Sequence, residues 1–99
     1  MASREDLVLT DDARVAEIAL ASGEDSPWHI HSEIIEHVFC LSGKIEVHCL
    51  EPDAAVELCP GEKMKIQPLR QHRITNHTDA ESKYLLVQRG TYDFIHRDS

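Results

Sequence analysis

Apolar and polar residues alternate along most of this chain, in short runs bounded by turn-forming clusters. The alternating runs are 14–20, 28–31, 36–41, 44–50, 55–58, 63–67, 72–76, 83–89 and a late 92–96. Between them lie GEDSP, LSGK, EPDA, CPGEK, PLRQ and NHTDAE, rich in the residues that turn a backbone. Alternation with period two is the mark of a strand with one buried face. Helical periodicity is weak. Residues 4–20 alone admit it, and ARVAEIAL within them reads equally as a strand, with Val15, Glu17 and Ala19 opposite Ala16, Ile18 and Leu20. Eight or nine strands at about ten-residue spacing predict an all-β fold, a β-sandwich or a single antiparallel β-barrel. Residues 1–12 read as an N-terminal arm.

The same alternation assigns faces. Ile45, Val47 and Cys49 share one side of their run, with Glu46, His48 and Leu50 on the other. Met64 and Ile66 point inward, against Lys63, Lys65 and Gln67. His72 shares a face with Ile74 and Asn76, opposite Arg73 and Thr75. An imidazole on an inward face needs a partner, because a polar group buried without one costs free energy.

Length and charge narrow the picture. The 99 residues fit one domain, 1–99. Ten basic against 18 acidic residues leave a net charge of −8, which argues against nucleic acid and against an anionic membrane surface. The start MASREDLVLTDD lacks a signal-peptide core, so a cytoplasmic protein is expected. Cys40, Cys49 and Cys59 form no CxxC and read as buried free thiols.

Seven histidines are many for this length. His29 and His31, two apart on a strand, project from one face within reach of a single metal ion. Glu36 opens the next run and can turn back to the same interior, and His72 offers a third imidazole. Three histidines with a carboxylate make a borderline N/O donor set. It suits one divalent transition metal, Fe, Mn, Ni, Zn or Cu, and leaves open positions for a small-molecule ligand. A rival set keeps His31 and His72 but takes Glu33, which shares parity with 29 and 31.

These residues also carry a resemblance. Gly23-EDSPW-His29-Ile-His31-SEII-Glu36-HVFCLS-Gly43 resembles the first motif of the cupin superfamily at every fixed position. After 17 residues, Gly61-EKMKI-Gln67-Pro68-Leu69-RQ-His72-RIT-Asn76 is similar to the second. Gln67 stands there where the family has Pro, and Leu69 where it has Gly. The resemblance spans 23–43 and 61–76 and implies a small single-domain cupin, a double-stranded jelly-roll barrel. It also implies His29, His31, Glu36 and His72 as metal ligands in the barrel mouth, and turn roles for Gly43 and Gly61. It further implies a homodimer made by pairing sheets and exchanging an N-terminal strand, a role open to residues 7–20.

Around that set, Trp28, Cys40 and Met64 are candidate walls of a substrate pocket. Tyr84, Gln88 and Arg70 are candidate catalytic or substrate-binding groups. His37, His48, His77 and His96 have charged or polar neighbours and read as solvent-facing, and Tyr92 reads as a packing residue. The inward positions carry no evident extra base, and proton-transfer chemistry needs one. A metal-dependent enzyme is expected, oxygenase-like before isomerase or lyase, with a non-catalytic sugar or organic-acid binder or sensor as the alternative.

Overall fold

A computed structural model describes residues 2–98. Its strands are β1 (Ser3–Leu9), β2 (Ala13–Leu20), β3 (His29–Ile30), β4 (Ile35–Ser42), β5 (Ile45–Cys49), β6 (Ala54–Leu58), β7 (Lys63–Ile66), β8 (His72–Thr75), β9 (Ser82–Arg89) and β10 (Ile95–His96). They form two five-stranded sheets, ordered β1-β2-β9-β4-β7 and β10-β3-β8-β5-β6. Every pairing between strands is antiparallel. No helix among the described residues is long and apolar enough to cross a membrane.

One core joins the sheets. Ile18, Leu20, Val38, Ile66 and Leu86 from the first sheet meet Ile45, Val47, Leu58 and Ile74 from the second. Register builds inward rows across the first sheet. Ile18, Tyr84 and Cys40 form one row; Ala16, Leu86, Val38 and Met64 the next; Arg14, Gln88, Glu36 and Ile66 the third. Side chains directly opposite one another share a face. Glu36 is therefore delivered to the interior by the same alternation that buries Val38 and Cys40.

Several expectations need correction. Within the N-terminal arm, residues 3–9 form a strand paired with β2, which the alternation did not predict. Every β1 residue is exposed, so no buried face imposes a readable alternation. The expected runs 28–31 and 92–96 shrink to two-residue strands that pair with each other. Cys59 is exposed, because the strand ends at Leu58 and the chain turns there; Cys40 and Cys49 are buried as expected.

The second motif departs from its pattern at a measurable cost. Leu69 occupies the left-handed region, φ 67°, where a side chain is strained. The turn is retained because it braces the site: the Leu69 amide donates to the His31 carbonyl at 2.8 Å. Leu69 is 65% exposed, so its side chain contributes little burial. Leu69→Gly should remove about 1–2 kcal/mol of backbone strain and give back about 0.4–1 kcal/mol through a more disordered unfolded chain. The expected net result is a thermal midpoint raised by a few degrees, read by circular dichroism; a lowered midpoint would contradict it.

Candidate metal centre

Three imidazoles converge at one end of the barrel. β3 carries His29, the chain leaving β3 carries His31, and β8 carries His72 in register with His29. All three are buried. One ring nitrogen from each lies within 4.8 Å of the others. Each Nδ1 faces a backbone carbonyl: Pro27 for His29 at 2.7 Å, Asp93 for His31 at 2.5 Å, Arg70 for His72 at 2.8 Å. A carbonyl only accepts, so each Nδ1 carries a proton, and in the neutral ring each Nε2 then keeps a lone pair. Such partners fix the tautomer and the ring orientation of a metal-binding histidine.

Glu36 completes the cluster from the opposite sheet. It is 2% exposed. Its Oε2 lies 3.0 Å from His72 Nε2 and its Oε1 3.5 Å from His31 Nε2. Gln88, its neighbour across β9, donates from Nε2 to Oε1 at 2.7 Å. His31 Nε2, His72 Nε2 and Gln88 Oε1 are buried without a hydrogen-bond partner among the described residues.

The electrostatics show what such a cluster requires. Lone pairs on two nitrogens facing a carboxylate at these distances repel unless positive charge lies between them. Burial pushes the Glu36 carboxyl up, but the close approach of His31 and His72 outweighs it and holds the carboxyl far below the usual range. Burial likewise pulls His31 down, and its contacts with Glu36 and Asp93 overcome this and raise it. His29 falls to about 4, through burial first and the neighbouring His72 second, so it stays neutral. The residues fit a divalent cation: three oriented imidazole nitrogens, one ionised oxygen, and buried nitrogens with no hydrogen-bond partner among the described residues.

A cavity of about 250 Å³ opens beside the cluster. His29, His31 and Glu36 form its polar end; Ile18, Leu20, Ile74, Leu86 and Phe94 line its body. Tyr84 and Gln88 also line it. Burial first, and the Glu36 charge second, push the Tyr84 hydroxyl above its ordinary value, so it remains a proton donor rather than a base.

Other expected site residues lie elsewhere. Trp28 faces away from the cavity, because it alternates with inward His29; it packs edge-on against His48 with the Arg73 guanidinium 4.9 Å from its ring. Cys40 is inward but four residues beyond Glu36 on β4, about 13 Å deeper along the strand, and sits in the apolar core. Met64 packs against that core, opposite Val38. Arg70 donates to the Pro52 and Leu50 carbonyls and lines a separate surface groove; its own carbonyl holds His72. Glu33 is exposed. β3 ends at Ile30 and β4 begins at Ile35, so parity counted across the intervening bend does not hold. His77 and His96 are exposed, and His37 and His48 are half-buried outside the cavity.

Three contributors were not anticipated. Phe94 stacks on His29, centroids 4.4 Å apart. Tyr92 is a cavity wall rather than simple packing, with the Arg14 guanidinium 3.6 Å from its ring centre. Asp93 ties the bend after β3 by accepting from the Ser32 amide at 2.8 Å and from its hydroxyl. These contacts join positions 61 to 78 residues apart, and no local pattern announces them.

Two facing antiparallel sheets define a jelly-roll barrel, with a three-histidine group that could hold a metal ion at one end. Residues 16–88 match the cupin domain model, and the chain belongs to that family. No curated protein matches the sequence. Among solved structures, it superposes on an uncharacterized conserved protein with a double-stranded beta-helix domain from Klebsiella pneumoniae. The TM-score is 0.87 at 18% identity, over 99% of this chain and 85% of that one. It superposes on the polyketide cyclase RemF from Streptomyces resistomycificus with TM-score 0.84 and 16% identity, covering 99% and 72%. An oxalate oxidase gives 0.83 at 16% identity, covering 96% of this chain and 54% of that one. At these identities the likeness is one of fold.

Proposed function

We propose that the chain holds one divalent transition metal through His29, His31, Glu36 and His72 and acts on a small organic molecule in the adjoining cavity. The carrying observation is the shared orientation of the imidazoles: each Nδ1 is tied to a carbonyl and the Nε2 atoms of His31 and His72 face one buried carboxylate. When bound, the ion supplies Lewis acidity toward substrate oxygens and, for a redox-active metal, electrons. Gln88 orients Glu36, and the apolar walls exclude water. Tyr84 is placed to hydrogen-bond a substrate oxygen. An oxygenase-like reaction fits better than an isomerase or lyase, because no side chain in the cavity is poised as a general base. That same lack favours one alternative, a non-catalytic metal-dependent binder of a small organic acid or sugar.

Elemental analysis of untagged protein, followed by oxygen uptake on panels of diketones, thiols and sugar acids, tests the reading. One metal per chain with substrate-dependent uptake supports it. Protein that neither retains nor takes up a transition metal overturns it. The ion must also displace the proton that His31 readily accepts. Metal affinity should fall at least about tenfold per pH unit below the raised His31 value, with His29, at about 4, adding no competing proton above pH 5. Without metal the sign reverses: the proton on His31 stabilises the fold below the unfolded histidine value near 6.5 and that stability is lost as pH rises through the raised value. Competition with a chromophoric chelator between pH 8 and 5.5 measures the first effect; a flat profile would contradict it.

A homodimer is part of the same proposal. β1 is an edge strand whose Leu7, Val8 and Leu9 are 51%, 45% and 63% exposed. An open apolar edge of this kind invites strand pairing. Sedimentation should give a dimer that Leu7→Glu with Leu9→Glu converts to monomer; a wild-type monomer at 100 µM, roughly, would reject it.

A further inference from the structure

The cavity's polar end is the metal cluster, but its far lip carries a charge of its own. Arg4, on β1, is the one Arg or Lys among the described residues that line it. Register explains its position: Arg4 pairs with inward Ile18, and Ile18 with inward Tyr84, so the three share a face. The Arg4 charge reaches the Tyr84 hydroxyl, which burial and Glu36 push up and Arg4 draws back. Its partner is Asp6, at 2.9 Å, in a pair whose side chains are 34% and 40% exposed. Pairs of that kind hold weakly and exchange readily with a better-desolvated anion.

From the geometry we infer that the cavity is built for an organic carboxylate of defined length, chelating oxygens at the metal end and carboxylate on Arg4. The inference rests on the metal reading above. Three observations select this class. The net charge of −8 disfavours anions generally, so the one cation at the lip of a cavity with an apolar body is the group that can hold one. The walls between the two polar ends are Ile18, Leu20, Ile74, Leu86 and Phe94, which suit an apolar body. Asp6 and Asp25 flank the lip, and a dianionic phosphate would meet both, whereas a monoanionic carboxylate needs only the one guanidinium. The strand supplies the ruler. Tyr84 stands on the Arg4 row and Gln88 on the Glu36 row, four residues apart on β9, or about 13 Å. With side chains reaching inward from both rows, the ligand spans roughly 8–10 Å.

The test uses Zn(II)-loaded protein and linear hydroxamates that end in either carboxylate or methyl, with two to eight methylenes between the ends. Calorimetry should show all of them binding through the hydroxamate. The carboxylate series should gain about tenfold over the methyl series at an intermediate length of about four to six methylenes, the order of one charge-assisted hydrogen bond. Arg4→Gln should abolish that gain and leave the methyl series unchanged; β1 is exposed throughout, so the variant keeps its core. Hydroxamates that bind without any carboxylate gain, or a gain that survives Arg4→Gln, would overturn the anchor and leave the metal reading intact. Hydroxamates that fail to bind at all would overturn both.

Discussion

His31→Ala is expected to lower metal affinity at least about a hundredfold while leaving both sheets folded. His31 contributes one oriented nitrogen to a three-histidine group whose nitrogens lie within 4.8 Å of each other, with Glu36 beside it, and no further His, Cys or Asp among the described residues joins that group. The fold does not depend on it, because the core is built from Ile, Val and Leu of seven strands rather than from the cluster. The thermal signature follows from mass action. An ion at about a thousand times its dissociation constant stabilises the wild type by about 4 kcal/mol. In a domain of this size that amounts to about 16 °C or more. At the same ion concentration a hundredfold weaker variant retains about 1.4 kcal/mol, roughly 6 °C. Scanning both proteins with and without Zn(II) reads both quantities. Glu33→Gln serves as the control, since Glu33 is exposed, and should behave as wild type. A His31→Ala protein that binds as tightly as its parent would remove His31 from the ligand set. One that unfolds without metal would make the cluster a structural knot instead.

What could be read in the chain followed from burial. Strands with one covered face, such as β5 with Ile45, Val47 and Cys49 buried and Glu46 and His48 half-exposed, announce themselves by alternation. β1 has no covered face and announces nothing, although it supplies the lip of the cavity through Arg4. Parity also served within a strand and failed between strands. It carried Glu36, Val38 and Cys40 to one face but said nothing of depth, so Cys40 belongs to the core and not to the site. Trp28 sits beside His29 and was bound by the same rule to face the other way. His29 and His72, in register on β3 and β8, and Glu36, inward on β4 of the opposite sheet, follow parity within their strands, and the cupin resemblance supplied the reason to group them with His31. Phe94, Tyr92 and Asp93 were not legible, because a loop from the far end of the chain brings them there.

Gly90→Ala is the substitution expected to cost most in stability, about 3–5 kcal/mol, and to weaken metal binding as well. Gly90 follows β9 at φ 124°, a conformation that L side chains rarely adopt. A Cβ there would overlap the Glu33 carbonyl oxygen and press on its carbon at 3.1 Å and the Ile34 Cα at 3.4 Å. These atoms are backbone and have no rotamer to escape into. Relief requires the 32–34 bend to move outward, and that bend joins His31 to Glu36. The Gly90 amide also donates to the Asp12 carbonyl at 2.9 Å, which pins it to the turn between β1 and β2 and removes the opposite escape. The two donors should therefore separate, and affinity should fall more than about tenfold, since a ligand set displaced by about 1 Å loses its geometry. Gly23→Ala separates strain from collision. Gly23 also has positive φ, 77°, but nothing lies within 4 Å of its Cβ position. It should cost only about 1 kcal/mol and leave the metal affinity alone. Chemical denaturation and chelator competition on the two variants supply the comparison. Equal losses in both would mean that the bend between His31 and Glu36 yields freely, and that the position of Glu36 is set by β4 alone.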